Sequence, residues 1–190
     1  MVRHPSVTIP PGETLLDVLR WRAEHQPDQS AYIFLRDGIS PDTVLTYRQL
    51  DVRARSIAGD LQSRFAPGDR LLLVYPPGLE FVQAFWGALY AGLVAVPVPP
   101  PDAYRAKVGV TRVQRIAEDA GVAGALSTNQ ILELVRAQGT TIPLEQWVIC
   151  DASRPDSTAQ WRSIHPLPST LAYLQYTSGS TSAPKGVMVS

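Results

Sequence analysis

The stretch RLLLVYPPGLEFVQAFWGALYAGLVAVPV, residues 70–98, decides the fold class. RLLLVY at Arg70 to Tyr75 is a short apolar run rich in residues that suit a buried strand. Pro76-Pro77-Gly78 then breaks the chain. FVQAFWGALYAG carries apolar residues at helical spacing, and LVAVPV returns to a β-branched run. A membrane span of about 20 uninterrupted apolar residues would not be punctuated by Gly87, Gly92, Pro97, Pro99 and Pro100. A buried strand, a buried helix and a second buried strand is the reading that remains. Strands apolar along their whole length, joined by helices, mark a mainly parallel sheet covered on both faces.

The same alternation extends outward. Toward the amino terminus, Leu15, Val18, Leu19 and Ala23 recur at helical spacing between Thr14 and His25, and Pro27-Asp28 supplies the stop. AYIFLR and TVLT around Asp37-Gly38 predict a hairpin. Thr46 with Gln49 forms a capping-box pattern ahead of Leu50, Ala54, Ile57, Ala58 and Leu61 on one helical face. Toward the carboxyl terminus, helices are predicted near Val108 to Ala120 and Ile131 to Ala137, the second behind a capping pattern at Ser127 and Gln130. Strands are predicted at Ala123 to Leu126, at WVIC ending on Cys150, at LAYLQY ending on Tyr176, and at VMVS. Asp151 to Ser169 is polar and without period, and reads as a long surface connection. PVPPPD at Pro97 to Asp102 directly follows a buried strand, which favours a rigid exit loop over a polyproline ligand.

Lys plus Arg and Asp plus Glu each total 17 in 190 residues. With zero formal charge there is no electrostatic case for nucleic acid or an anionic surface as partner. The single cysteine excludes an internal disulfide and is expected as a small buried side chain. The N-terminal residues lack the apolar core of a secretory signal, so the cytoplasm is the expected location. His4, His25 and His165 are scattered, with no Cys, Asp or Glu at ligand spacing, so no metal is expected on them. Trp21, Trp86, Trp147 and Trp161 could line a lipid tunnel but are read as core, and adjacent Glu118 and Asp119 as a solvated helix face.

Chemistry concentrates in Thr177-Ser178-Gly179-Ser180-Thr181-Ser182-Ala183-Pro184-Lys185-Gly186, between two predicted strands. Five Ser/Thr hydroxyls, two glycines and one lysine are a donor set suited to a polyphosphate. The loop is not a Walker A sequence, because glycine follows the lysine and a strand rather than a helix comes next. A Ser/Gly linker is the rival reading, and Lys185 set between Pro184 and Gly186 with apolar strands on both sides speaks against it.

YTSGSTSAPKG resembles the phosphate-binding motif of the adenylate-forming superfamily, which includes acyl-CoA synthetases, fatty acyl-AMP ligases and peptide-synthetase adenylation domains. LLDVLRWRAEHQPDQSAYIF, LTYRQLDVRARSIAGDLQ and GDRLLLVYPPGLEFVQAFWGALYAGLVAVPVPPP are similar to the fatty acyl-AMP ligase branch, so the resemblance covers nearly the whole chain. It implies the partial N-terminal domain of an adenylate-forming enzyme across residues 1–190. That domain would be cut just after the phosphate loop and have no C-terminal domain. The implied reaction is attack of a fatty carboxylate on the α-phosphorus of ATP with Mg2+, then acyl transfer to a carrier protein, a polyketide synthase or CoA. By resemblance Thr177, Ser178, Gly179, Ser180, Thr181, Ser182, Lys185 and Gly186 bind the phosphates, and Lys185 is catalytic. The usual pattern has glycine where this chain has Ser182. The 190 residues alone are expected to be inactive, and a sheet ending at VMVS is expected to leave an edge open to self-association. The alternatives are a non-catalytic binding module, or a piece of an acyl-CoA synthetase or peptide-synthetase adenylation domain.

Overall fold

The computed structural model describes residues 12–101, 106–137, 147–150, 161–177 and 185–190. The chain runs through α1 (Leu15–His25), β1 (Ser30–Leu35), β2 (Pro41–Thr46), α2 (Tyr47–Gln62), β3 (Arg70–Val74), α3 (Leu79–Ala91) and β4 (Val94–Val98). It continues through α4 (Ala106–Ala120), β5 (Gly124–Ser127), α5 (Asn129–Ala137), β6 (Trp147–Ile149), β7 (Tyr173–Thr177) and β8 (Lys185–Val189). β1 and β2 form the expected hairpin, with the Asp37 carboxylate accepting from the backbone N–H groups of Ile39 and Ser40 at its turn.

The other six strands form one sheet in the order β6-β5-β3-β4-β7-β8, parallel except for the antiparallel pair β7 and β8. From β3 the chain steps one way to β4, then crosses back over β3 to β5 and on to β6. Right-handed crossovers require such a reversal to put α3 on one face and α4 and α5 on the other. The two cores divide in that way. Leu71, Leu73 and Ala95 join residues of α1, α2 and α3, whereas Leu72, Val74 and Val96 join residues of α4 and α5. Period-2 alternation in a sheet covered on both faces is why RLLLV carries no polar residue after Arg70. Each of those four buried side chains contributes roughly 1.5–3 kcal/mol relative to exposure.

Local chemistry sets the helix starts. Thr46 accepts from the Gln49 N–H while the Gln49 side chain accepts from the Thr46 N–H, the capping box the residues predict. A second box joins Thr14 and Asp17 at α1. The box expected at Ser127 and Gln130 does not form. Ser127 is fully buried in β5 and donates to the Val74 carbonyl at 2.8 Å, and Thr128 caps α5 by accepting from the Ile131 N–H. A buried hydroxyl must find a partner, and the neighbouring strand offers one closer than the helix does.

Over its described part the polar connection runs along the surface without regular structure, as expected. Residues 161–170 lie against the molecule as a strap. Trp161 donates its indole N–H to the Tyr90 carbonyl at 3.2 Å, Gln62 and Arg162 exchange two hydrogen bonds, and Ile164 packs on the first core. Residues 99–101 leave β4 without regular structure and Pro101 is buried, in keeping with an exit loop.

Candidate functional site

Thr177 and Lys185 are register partners, the last residue of β7 and the first of β8. The two ends of the hydroxyl-rich loop are therefore held together by the antiparallel ladder. Because β7 runs parallel to β3, β4 and β5, the loop leaves the sheet at the edge where those strands end and α3 and α5 begin. In open α/β sheets that carboxyl edge is where ligands bind, and helix N-termini there favour anions. Thr177 and Lys185 are both exposed at this edge, and Gly186 follows in β8. Ser178, Gly179, Ser180, Thr181 and Ser182 lie outside the described residues.

Gly186 stands opposite Tyr176 in the ladder. A Cβ at Gly186 would lie 3.0 Å from Tyr176 Cζ and 3.2 Å from its hydroxyl, so the aromatic ring takes the space a side chain would need. The ring belongs to the second core, and its hydroxyl donates to Asp119 Oδ2 on α4 at 2.6 Å. Burial, followed by the hydrogen bond and charge of Asp119, pushes the phenol up to about 12, with Arg70 pulling the other way. Asp119 is exposed, as the helix-face reading holds, but it is also the acceptor for this loop-stem tyrosine. Side-chain spacing along α4 could not show this, because the partner lies 57 residues away.

The strap that leads into β7 is anchored by a second polar group. The Asp51 carboxylate is buried and accepts from the Tyr90 hydroxyl at 2.7 Å and from Arg55 Nη2 at 3.1 Å. Arg55 Nε also lies 2.8 Å from the other carboxylate oxygen, but off the line of a hydrogen bond, so that contact acts as an ion pair. The Arg55 and Arg20 guanidiniums lie 4.7 and 5.6 Å from the Trp161 ring centroid, and Arg20 donates to the Ile164 carbonyl. Of the tryptophans, Trp86 is buried, Trp161 and Trp147 pack at the edges of the cores, and Trp21 stacks on His25. Cys150 lies half-buried just past the end of β6 rather than fully buried within it.

A groove of about 410 Å³ opens at the other end of the sheet, lined by Leu15, Leu89, Leu93, Ile164, Leu167 and Tyr173 among others. It is mostly apolar and has no cation among its lining residues, so it is not suited to phosphate. Among the described residues no group of three His, Cys, Asp or Glu could hold a metal ion, and no helix is long and apolar enough to cross a membrane.

The sequence model for AMP-binding enzymes matches residues 19–190. A medium-chain-fatty-acid acyl-carrier-protein ligase of Moorena producens is 40% identical over 184 residues, 95% of this chain and 31% of that protein. A long-chain-fatty-acid AMP ligase of Mycolicibacterium smegmatis is 36% identical over 99% of this chain and 30% of its own length. Among solved structures, a fatty acyl-adenylate ligase from L. pneumophila in complex with acyl adenylate and pyrophosphate superposes with a TM-score of 0.81. It is 35% identical over 94% of this chain and 30% of that one. The chain thus spans about 30% of the length of these relatives.

Proposed function

Because the chain belongs to the AMP-binding enzyme family, we propose that it forms the amino-terminal part of a ligase that activates a fatty acid with ATP. In this reading a carboxylate oxygen of the fatty acid attacks the α-phosphorus and the bond to the β-phosphate oxygen breaks. Acyl-AMP and pyrophosphate result. The observation that carries the reading is the pairing of Thr177 with Lys185, which joins the two ends of a donor-rich loop at the carboxyl edge of the sheet.

The hydroxyls and amides of Thr177, Ser178, Gly179, Ser180, Thr181 and Ser182 hold the β- and γ-phosphates, and Gly186 lets the strand pass beneath Tyr176. Lys185 offsets the negative charge that builds on the departing pyrophosphate, catalysis by electrostatics and position. No general base is required of these residues, since a carboxylate is ionised near neutral pH. Mg2+ supplies charge neutralisation on the phosphates when bound. Such an ion keeps several waters and is held by substrate phosphates together with one or two carboxylates.

The acyl group then passes to the thiol of a carrier protein, free or within a polyketide synthase, or to CoA. The name of the Moorena producens relative favours the carrier protein. In this reading the reaction runs in the cytoplasm, where ATP is supplied. The chain serves lipid biosynthesis through the remainder of the ligase, without which ATP meets one wall of its site.

Exchange of radiolabelled pyrophosphate into ATP tests the proposal, with a medium- or long-chain fatty acid present or omitted. These 190 residues should be silent alone and active only when combined with the complementary remainder of a ligase. Lys185→Ala should then cost about 10²-fold or more. Exchange that ignores Lys185 would overturn its role, and no exchange in either setting would favour a non-catalytic module.

A further inference from the structure

The sheet holds β7 unevenly. Its ladder to β4 has one register pair, Ala95 with Tyr173, and this lies at the end of β7 away from the loop. From Leu174 to Thr177 the registered partners lie in β8, the last strand of the described sheet, which itself pairs with β7 alone. β8 is exposed over Lys185 to Met188. Backbone pairing near the loop therefore joins β7 to β8, while β7 runs beside β4 there without further registered pairs. At that level the side chains of Leu174 and Tyr176 supply the tie, both buried in the second core, and Tyr176 is the one next to the loop. Its ring lies across Gly186 of β8, it packs among residues of the second core, and its hydroxyl reaches Asp119 on α4. A phenylalanine would satisfy the core, yet the chain desolvates a hydroxyl here and gives it a carboxylate acceptor.

We propose that Tyr176 is a positioning residue for the phosphate loop: latched to Asp119 and laid over Gly186, it holds the paired stems so that Thr177 and Lys185 meet the phosphates in a preset arrangement. The proposal rests on the reading of the loop as phosphate-binding. Its physical basis is preorganisation, since ordering mobile stems at the moment of binding would be charged against affinity. Asp119 acts through Tyr176 and touches no ligand.

The test is equilibrium binding of radiolabelled ATP with Mg2+ to this chain combined with the complementary remainder of a ligase, well below the unfolding temperature of every variant, with thermal midpoints recorded alongside. Lys185→Ala should abolish binding. Tyr176→Phe and Asp119→Ala should each weaken it about tenfold, the worth of one hydrogen bond to a charged group, and the double variant should be no weaker than either single one. Asp119→Asn, which keeps an acceptor oxygen, should retain most of the affinity. A merely structural bond would lower the melting midpoint and leave the dissociation constant unchanged. Wild-type affinity in Tyr176→Phe, with binding lost in Lys185→Ala, overturns the positioning role and leaves the loop reading standing. A hundredfold loss in the double variant overturns the latch, because the two groups would then act independently. ATP binding that is absent, or indifferent to Lys185, overturns the loop reading and this proposal with it.

Discussion

The two buried phenols give the domain an alkaline limb. Tyr176 and Tyr90 are both shifted upward, chiefly by burial and then by their carboxylate partners Asp119 and Asp51, with Arg70 opposing at the first and Arg20 and Arg55 at the second. A phenol in the unfolded chain titrates near pH 10. Folded values above that mean the stability these groups contribute is complete below about pH 10 and is lost as pH rises through the folded value. For Tyr176 the window runs from about pH 10 to about 12. Melting temperature followed from pH 9 upward should fall less steeply in Tyr176→Phe than in the wild type, whereas equal slopes would show that the phenol is not withheld from solvent. Tyr176 was legible from sequence as the end of the strand directly before the loop, but neither its role nor its acceptor was.

At the scale of elements, cap chemistry was read well where a helix begins at the surface and misread where it begins in the core. Thr46 is half-buried and Gln49 exposed, and the pattern predicted from spacing is the one that forms. Ser127 had the same pattern with Gln130, but it sits in β5 beside Val74, and burial redirected its hydroxyl to the adjacent strand. Thr46→Ala should therefore destabilise the domain by about 1 kcal/mol, read as a lower urea midpoint at unchanged slope. Contact between α2 and α3 was hidden in the same way. A Cβ at Gly87 would fall 2.4 Å from Ile57 Cγ2, a collision with a β-branched side chain that the helical spacing of either element does not reveal. Gly87→Ala should cost about 1–3 kcal/mol by overpacking, and a variant as stable as the wild type would mean the helices can part without loss.

For the molecule as a whole, the polar surface connection carries anchoring contacts that the sequence reading did not show. Trp161 couples it to α1, α2 and α3 through Arg20, Arg55 and the Tyr90 carbonyl, and the strap delivers the chain to β7. Trp161→Ala should cost about 2 kcal/mol, below the roughly 3–5 kcal/mol of a fully buried tryptophan. It should also speed amide exchange in β7 more than in β3. Uniform acceleration would show instead that strap and sheet unfold together.

The sequence by itself determined the layers, the strands and the loop. Hydrophobic period and Gly/Pro punctuation are local signals, and a sheet buried on both faces writes them as unbroken apolar runs. It also marked the hydroxyl- and glycine-rich segment between Thr177 and Lys185, since residue type is read directly from the chain. Only the tertiary structure decided which polar groups pair: Tyr176 with Asp119, Tyr90 with Asp51, Ser127 with Val74, and Trp161 with Tyr90. These contacts join residues from 39 to 71 positions apart. Nothing in local propensity marks them, because a buried donor takes whichever acceptor the packing of distant elements brings within reach.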